Sequence, residues 1–426
     1  MALPPADPRR PLDGLTRRTL LRASCGLASV GILAGAAQVG WREVFGRAQA
    51  NPLGTGTPIL VLVTMYGGND GLSTVVPYAE AAYHDARPDL AFGADEVITL
   101  DETHGLNPGL SGLGDLWGRG KLAVVRGVGH PALERSHFRA IDVWQTASPQ
   151  APVPTGWVGR WLDARAGQAA DDPLLALHLG AVLPPLGVGA TRTAAALTTE
   201  PGRPASPSGT SGVLAHFAAA DRADSPAMAE VVASYAAAGS VRTALTPVEG
   251  GRMAPSGLAD ADSGLAGATF SEQLDVVARC IRLGVPTRVY SVSLSGFDTH
   301  ADAKASQTTQ LTRLDRGLTA LRDALDGHPR EADVVVMAYS EFGRRVRANT
   351  SHGTDHGTSG PVLLAGERVV GGFHGDAPSL TDLVDGDLRT TTDFRRVYGD
   401  VLRQVLHADP EQVLDSDPAP LGLFQT

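Results

Sequence analysis

The sequence predicts an α/β protein, a doubly wound and mainly parallel sheet, and three observations carry that expectation. Short apolar, β-branched runs at 57–65 (TPILVLVTM), 121–127 (KLAVVRG), 287–294 (TRVYSVSL) and 333–338 (DVVVMA) read as strands buried on both faces. Stretches with apolar residues three and four apart lie between them and read as helices. Polar, glycine-rich segments follow the strands, and in open α/β sheets that end is where ligands bind.

Taken in order, residues 57–65 run into Tyr66-Gly67-Gly68-Asn69-Asp70-Gly71, where glycines permit a sharp exit and present Asp70 at the strand end. An amphipathic helix near 110–117 precedes the strand at 121–127. Glu134-Arg135-Ser136-His137-Phe138 then opens a helix to about Thr146, with Ser136 and His137 where free amides and the helix dipole favour an anion. Residues 156–166 read as a helix and 173–179 as a strand. From about 190 to 267 the composition shifts to Ala, Gly, Pro, Ser and Thr, with one helical stretch near 228–238, as expected of an insertion or cap.

A helix at about 271–283 follows, then the strand at 287–294, which ends in Ser295-Gly296-Phe297-Asp298-Thr299-His300. Leu311, Leu314, Leu318, Leu321 and Leu325 form one stripe of a long helix. The strand at 333–338 feeds YSEFGRRVRANTSHGTDHGTSG, residues 339–360, the richest concentration of potential ligands in the chain. Residues 361–364 and 368–370 flank Ala365-Gly366-Glu367 as an expected hairpin, and Phe394, Val397, Val401, Leu402 and Val405 mark a closing helix. No repeat is evident, and the chain after residue 50 reads as one domain.

The N-terminus carries Arg17-Arg18, an apolar Gly/Ala-rich run from Ala23 to Val39, and Ala48-Gln49-Ala50. An arginine pair, a weakly hydrophobic segment and an A-x-A site predict a twin-arginine export signal over residues 1–50, with the twin-arginine translocase as a transient partner and a periplasmic, cell-surface or secreted destination. The run is too short and too rich in Gly and Ala for a stable membrane span. Without residues 1–50, which hold seven arginines and three acids, the chain has 29 basic and 43 acidic residues, a net charge of −14. That balance excludes nucleic acid and anionic membranes as expected partners. Cys280 is then the lone cysteine, so no intrachain disulfide can form.

Asp70, Asp298, His300, Asp355 and His356 supply three carboxylates and two imidazoles at expected strand ends, a donor set sufficient for one well-ligated divalent ion or for two sharing a hydroxyl or substrate oxygen. Zn, Mn, Mg and Ca are not distinguished by it. Ser136 is a candidate nucleophile or simply a helix cap. His137 is either a metal ligand or a group against the substrate. Glu341 is a ligand, a base or a partner for Arg344 or Arg345. Arg135, Arg139 and Arg344 could neutralise an anionic substrate, and His352 and His374 are further candidate ligands. Nucleotide-binding and serine-hydrolase signatures are missing: the sequence has no G-x-x-x-x-G-K-[ST] and no G-x-S-x-G.

The export signal, GGNDGLSTVVPY (67–78), RSHFRAIDVWQTA (135–147), GFDTH (296–300), SEFGRR (340–345) and GTDHGT (353–358) together resemble an exported bacterial family, number fifteen-oh-one in the domain-of-unknown-function series, often labelled sulfatase-like. That family is similar to the alkaline phosphatase superfamily. The resemblance implies a two-metal site with Asp70, Asp298, His300, Asp355, His356 and His374 as ligands, Ser136 as nucleophile, and His137, Glu341 and Arg344 beside it. It implies a hydrolase of phosphate or sulfate esters, acting on an anionic small molecule or a glycan ester. Two departures stand out: Asp298 and His300 are two apart where many relatives space them by four, and Ser136 lacks the C/S-x-P-x-R setting of sulfatases. A non-catalytic binding protein on the same fold is the alternative.

Overall fold

The computed structural model describes residues 38–130, 135–167, 172–180, 183–197 and 268–425. Residues 1–37 of the expected export signal, which spans 1–50, and the helical stretch expected near 228–238 lie outside the described residues.

The chain opens with β1 (Gln38–Val39), α1 (Trp41–Ala50) and β2 (Ile59–Tyr66). A helical turn, α2 (Gly71–Thr74), leads into β3 (Val75–Val76), α3 (Ala81–Ala86), β4 (Ile98–Thr99) and β5 (Gly105–Leu106). Next come α4 (Ser111–Gly118), β6 (Leu122–Gly129), α5 (His137–Thr146), α6 (Trp157–Ala164), β7 (Ala176–Leu179) and β8 (Ala195–Leu197). Beyond residue 267 lie α7 (Phe270–Leu283), β9 (Val289–Ser295), α8 (Ala303–Leu325), β10 (Val334–Tyr339), β11 (Gly360–Ala365) and β12 (Gly372–His374). The chain closes with β13 (Leu383–Val384), β14 (Asp387–Leu388), β15 (Thr392–Asp393), α9 (Phe394–Asp400), which runs on as a π-helix over Val401–Leu406, and α10 (Pro410–Leu414).

The main sheet has the order β1-β8-β7-β9-β2-β10-β11-β6-β12, with β15 also beside β6. Every pair is parallel except those of β11, which runs antiparallel to both β10 and β6. The fold is therefore the expected α/β class, with a mixed but mostly parallel sheet. Alternation along the central strands feeds two cores. Val61, Val63, Met65, Val336 and Ala338 face the layer that includes α7 and α8, whereas Leu60, Leu62, Val335 and Met337 face the layer of α5, α6 and α9. The leucine stripe of α8 is buried as its spacing predicts. α7 begins with a capping box, Thr269 with Glu272, and ends at Gly284 in the left-handed conformation.

Two details differ from expectation. The first residues of the stretch expected as an insertion from about 190 include β8, a full member of the main sheet paired between β1 and β7. Its AAL sequence is too short and alanine-rich to announce a strand; parallel pairing on both sides makes it one. The hairpin around Ala365-Gly366-Glu367 does not form. Both edges of β11 are already taken by β10 and β6, so Val369 bridges Phe424 in antiparallel fashion instead, and β12 adds to the far side of β6.

Candidate metal centre

Parallel pairing puts the C-terminal ends of β9, β2 and β10 side by side at one rim, and β11 enters that rim from the opposite direction at Gly360. The loops leaving these strands pack backbone against backbone. Gly67 has φ +120°, and a Cβ there would lie 2.4 Å from the Asp298 amide nitrogen, so only glycine lets the β2 and β9 exits approach this closely. The long loop after β10 folds back on itself: Gly343 N donates to Thr358 O (3.1 Å), Gly357 N to Gly343 O (2.8 Å) and Arg345 N to Asp355 O (3.0 Å). That pairing sets His356 directly across from Arg344.

Arg344 ties the three loops together. Its buried guanidinium donates from Nε to Gly68 O (2.7 Å), from one terminal nitrogen to Thr354 O (2.9 Å), and from the other to Phe297 O (3.1 Å), Gly67 O and Asp298 Oδ1 (2.6 Å). An expected anion-binding arginine is thus a strut whose donors are spent on backbone and on one carboxylate. Arg135 and Arg139 are engaged as well, with Asp387 and Asp142 respectively.

At the rim, one ligating atom each from His137, Asp298 and His356 lies within 4.8 Å of the others. His356 Nε2 is 3.2 Å from Asp298 Oδ1, and His137 Nε2 is 3.7 Å from Asp298 Oδ2. Donors on one ion at roughly 2.0–2.2 Å are at most about 4.4 Å apart, so the group fits a single ion with an inward shift of a few tenths of an ångström. Both imidazoles are aimed by their other nitrogen. His137 Nδ1 lies 2.8 Å from Glu341 Oε1 and His356 Nδ1 2.9 Å from Arg135 O; both partners can only accept, so each Nδ1 carries the proton and each Nε2 is left to face the centre. The rings of His137 and His356 meet edge to face, centroids 4.4 Å apart, and the ring of Phe342 packs against both at 4.8 and 4.7 Å. His300 adds a further nitrogen, its Nε2 2.9 Å from Asp298 Oδ1 and 3.0 Å from His356 Nε2.

The electrostatics follow from these contacts. Burial pushes the Glu341 carboxyl up, but hydrogen bonds from His137, backbone amides and Ser340 outweigh it and hold it below the usual range. The hydrogen bond to Glu341 raises His137 above the ordinary imidazole value against the opposing effect of burial. Asp298 is held low: partial burial raises it, and the bonds to Arg344 and His356 more than compensate.

The remaining expected residues lie elsewhere or at the margin. Asp70 is buried as the N-cap of α2; it accepts from Leu72 N (3.2 Å) and Ser73 Oγ (2.8 Å) and pairs with buried Arg87 at 2.6 Å. Asp355 is exposed, accepts from Asn349 Nδ2 and stands 3.7 Å from His300 Nδ1, outside the three-residue group. His374 lies on β12 opposite Val125, part-way along β6 rather than at its rim end, with Nε2 2.8 Å from Val370 O. His352 contacts Asp89 at the surface. Ser136 is exposed immediately before α5, and its side chain makes no capping bond to that helix. Sequence reasoning missed Arg87 and Asp387, the buried partners of Asp70 and Arg135; neither sits in a local pattern that could have announced it.

The family model described as a protein of unknown function, DUF1501, matches residues 126–396. The chain belongs to the DUF1501 family. Its matched span contains His137, Asp298, His300, Glu341, Arg344 and His356. No curated protein matches the sequence. Among solved structures, this DUF1501 chain is similar to a protein in the alkaline phosphatase superfamily from Vibrio parahaemolyticus, at 10% identity and a TM-score of 0.36, over 79% of this chain and 71% of that one. It is similar also to Ps i-CgsB in complex with k-i-k-neocarrahexaose, at 10% identity and a TM-score of 0.32, over 74% of this chain and 68% of that one.

Proposed function

We propose that the protein is an exported, metal-dependent hydrolase of phosphate or sulfate esters, built around one divalent ion. The observation that carries this reading is the convergence of His137, Asp298 and His356 at the strand-end rim, with each imidazole turned inward by a fixed outside partner. A divalent ion bound there would supply Lewis acidity toward an ester oxygen and acidify a bound water. His137 and His356 would hold it through Nε2 and Asp298 through its carboxylate, while His300 stands beside them as a further donor. Glu341 keeps the Nδ1 proton of His137 in place, and Ser136, exposed next to His137, is the candidate nucleophile.

One ion fits better than the pair implied by the resemblance. The carboxylate of Asp70, which the second site would need, is saturated by Arg87, Ser73 and Leu72. Arg344 already places a positive charge on Asp298. A second reading, a binding protein without turnover, is favoured by the engagement of Arg135, Arg139 and Arg344 with acceptors of the fold rather than with open solvent.

Elemental analysis of the exported protein, followed by a panel of aryl phosphate and aryl sulfate esters, tests both. About one ion per chain is expected, with affinity lowered about 100-fold or more by Asp298→Asn and activity lost with it. A tight ion with no turnover on any ester supports the binding reading. A folded protein that takes up no ion would sink the metal centre altogether.

A further inference from the structure

We infer that the export cut falls after Ala36, so that Gln38–Ala50 remains in the mature protein as a working part of its fold. This inference rests on the export reading proposed above. Cutting after Ala50, as the Ala48-Gln49-Ala50 motif suggests, would remove both β1 and α1. β1 pairs in parallel with β8, Gln38 opposite Ala196 and Val39 opposite Leu197, and so covers the outer edge of the main sheet. Without it, β8 would present an unpaired strand edge, a ready template for association.

α1 is not a loose appendage either. Val44 is 0% and Ala48 7% exposed, and both belong to the same apolar core as Leu177, Leu179 and Leu197 of the neighbouring strands. Trp41 packs against that core, with Arg279 of α7 over its ring at 6.0 Å. Just past the helix, Leu53 N donates to Gly284 O (2.9 Å), and Asp172 stands 3.5 Å from Asn51 Nδ2 and 3.7 Å from Arg47. Contacts of this kind hold the segment to α7, β8 and the approach to β7 at once.

The sequence upstream supplies a better cut. After Arg17-Arg18 and Arg22, the apolar run from Ala23 to Leu33 is a signal core of ordinary length, and Ala34-Gly35-Ala36 follows it directly as an A-x-A site. A cut after Ala50 would instead leave Arg42, Glu43 and Arg47 between that core and the scissile bond, where a signal has no use for charge. The cleavage itself is hydrolysis of the Ala36–Ala37 peptide bond by a membrane-bound signal peptidase, with water as the only co-reactant.

The test is the intact mass of full-length protein recovered from the exported fraction of a host with a twin-arginine translocase. The mass of residues 37–426 is expected, and Ala36→Leu is expected to leave the exported chain uncut. A product beginning at Asn51 overturns the boundary. Val44→Ala supplies an independent readout: if α1 is retained, the thermal midpoint of the exported protein falls by about 2–4 °C, from the loss of buried methyl groups. A midpoint equal to that of the unsubstituted protein overturns the structural role. Lysine at both Arg17 and Arg18 identifies the route. A wild-type chain found only uncut in the cytoplasm refutes the export reading and the cut with it, whereas an exported chain cut after Ala50 refutes the boundary alone.

Discussion

Replacing Arg344 by methionine tests how the rim is held together. The side chain is buried, and methionine keeps much of its volume, so the change removes donors more than it opens a cavity. The carbonyls of Gly68, Phe297 and Thr354 belong to buried residues and lose their partner, while Asp298 is half exposed and can recover water. Orphaned buried acceptors cost about 1–3 kcal/mol each, so the variant should lose roughly 3–5 kcal/mol. At ~2.1 cal/mol/K per residue of unfolding entropy, a chain of this size drops by about 3–6 °C in thermal midpoint. Melting in chelator isolates this loss from the stabilisation that any bound ion adds. Metal titration then reads the second effect: the loops carrying Asp298 and His356 lose their common tie, and affinity should fall about 10–100-fold. Arg344→Lys, which keeps the charge but lacks the planar fork, should recover part of the stability and little of the affinity. A methionine variant that melts within about 1 °C of the parent and binds metal equally well refutes the account of Arg344 as the strut of the centre.

Asp70→Asn should behave as a stability variant, because it removes one partner of a fully buried ion pair with Arg87; a loss of about 3 kcal/mol or more, with metal stoichiometry unchanged, is expected from a denaturant melt and elemental analysis. Loss of the ion with stability intact would return Asp70 to the metal centre. His178, on β7 with Nδ1 2.7 Å from Ser291 Oγ, has its pKa pushed down to about 4 by burial. The unfolded chain, with an imidazole near 6.5, therefore takes up the proton first, and stability falls as pH drops from about 6.5 to about 4. The slope is at most ~1.4 kcal/mol per pH unit, and less here because the side chain keeps some exposure. His178→Gln should flatten that window in melts run from pH 7 to 4; an unchanged pH dependence assigns it to other groups.

Much of the fold was legible because strands buried on both faces must be continuously apolar and helices packed on them must be striped. Residues 57–65 against β2, 333–338 against β10 and the leucines of α8 are the clear cases. The rim was legible for a related reason: in a parallel sheet, a polar glycine-rich segment after a strand can only lie at one end, so Asp298, His300 and Glu341 were bound to meet. His356 joined them by a different route, ahead of an antiparallel strand whose direction the residues alone do not reveal.

What the sequence could not decide is which polar groups spend themselves on one another. Asp70 and Asp298 look alike as acids after glycine loops; tertiary packing buries one against Arg87 and leaves the other half open beside three imidazoles. Arg344 reads as a surface arginine from its neighbours, and only the closing of three loops around it turns its donors inward. β8 likewise owes its strand to partners on both sides, and the hairpin after β11 was excluded by them. Local pattern determines where apolar residues must be buried, because burial follows periodicity within one segment. Pairing of charges and of strand edges depends on segments far apart in the chain, so it is settled only when the sheet assembles.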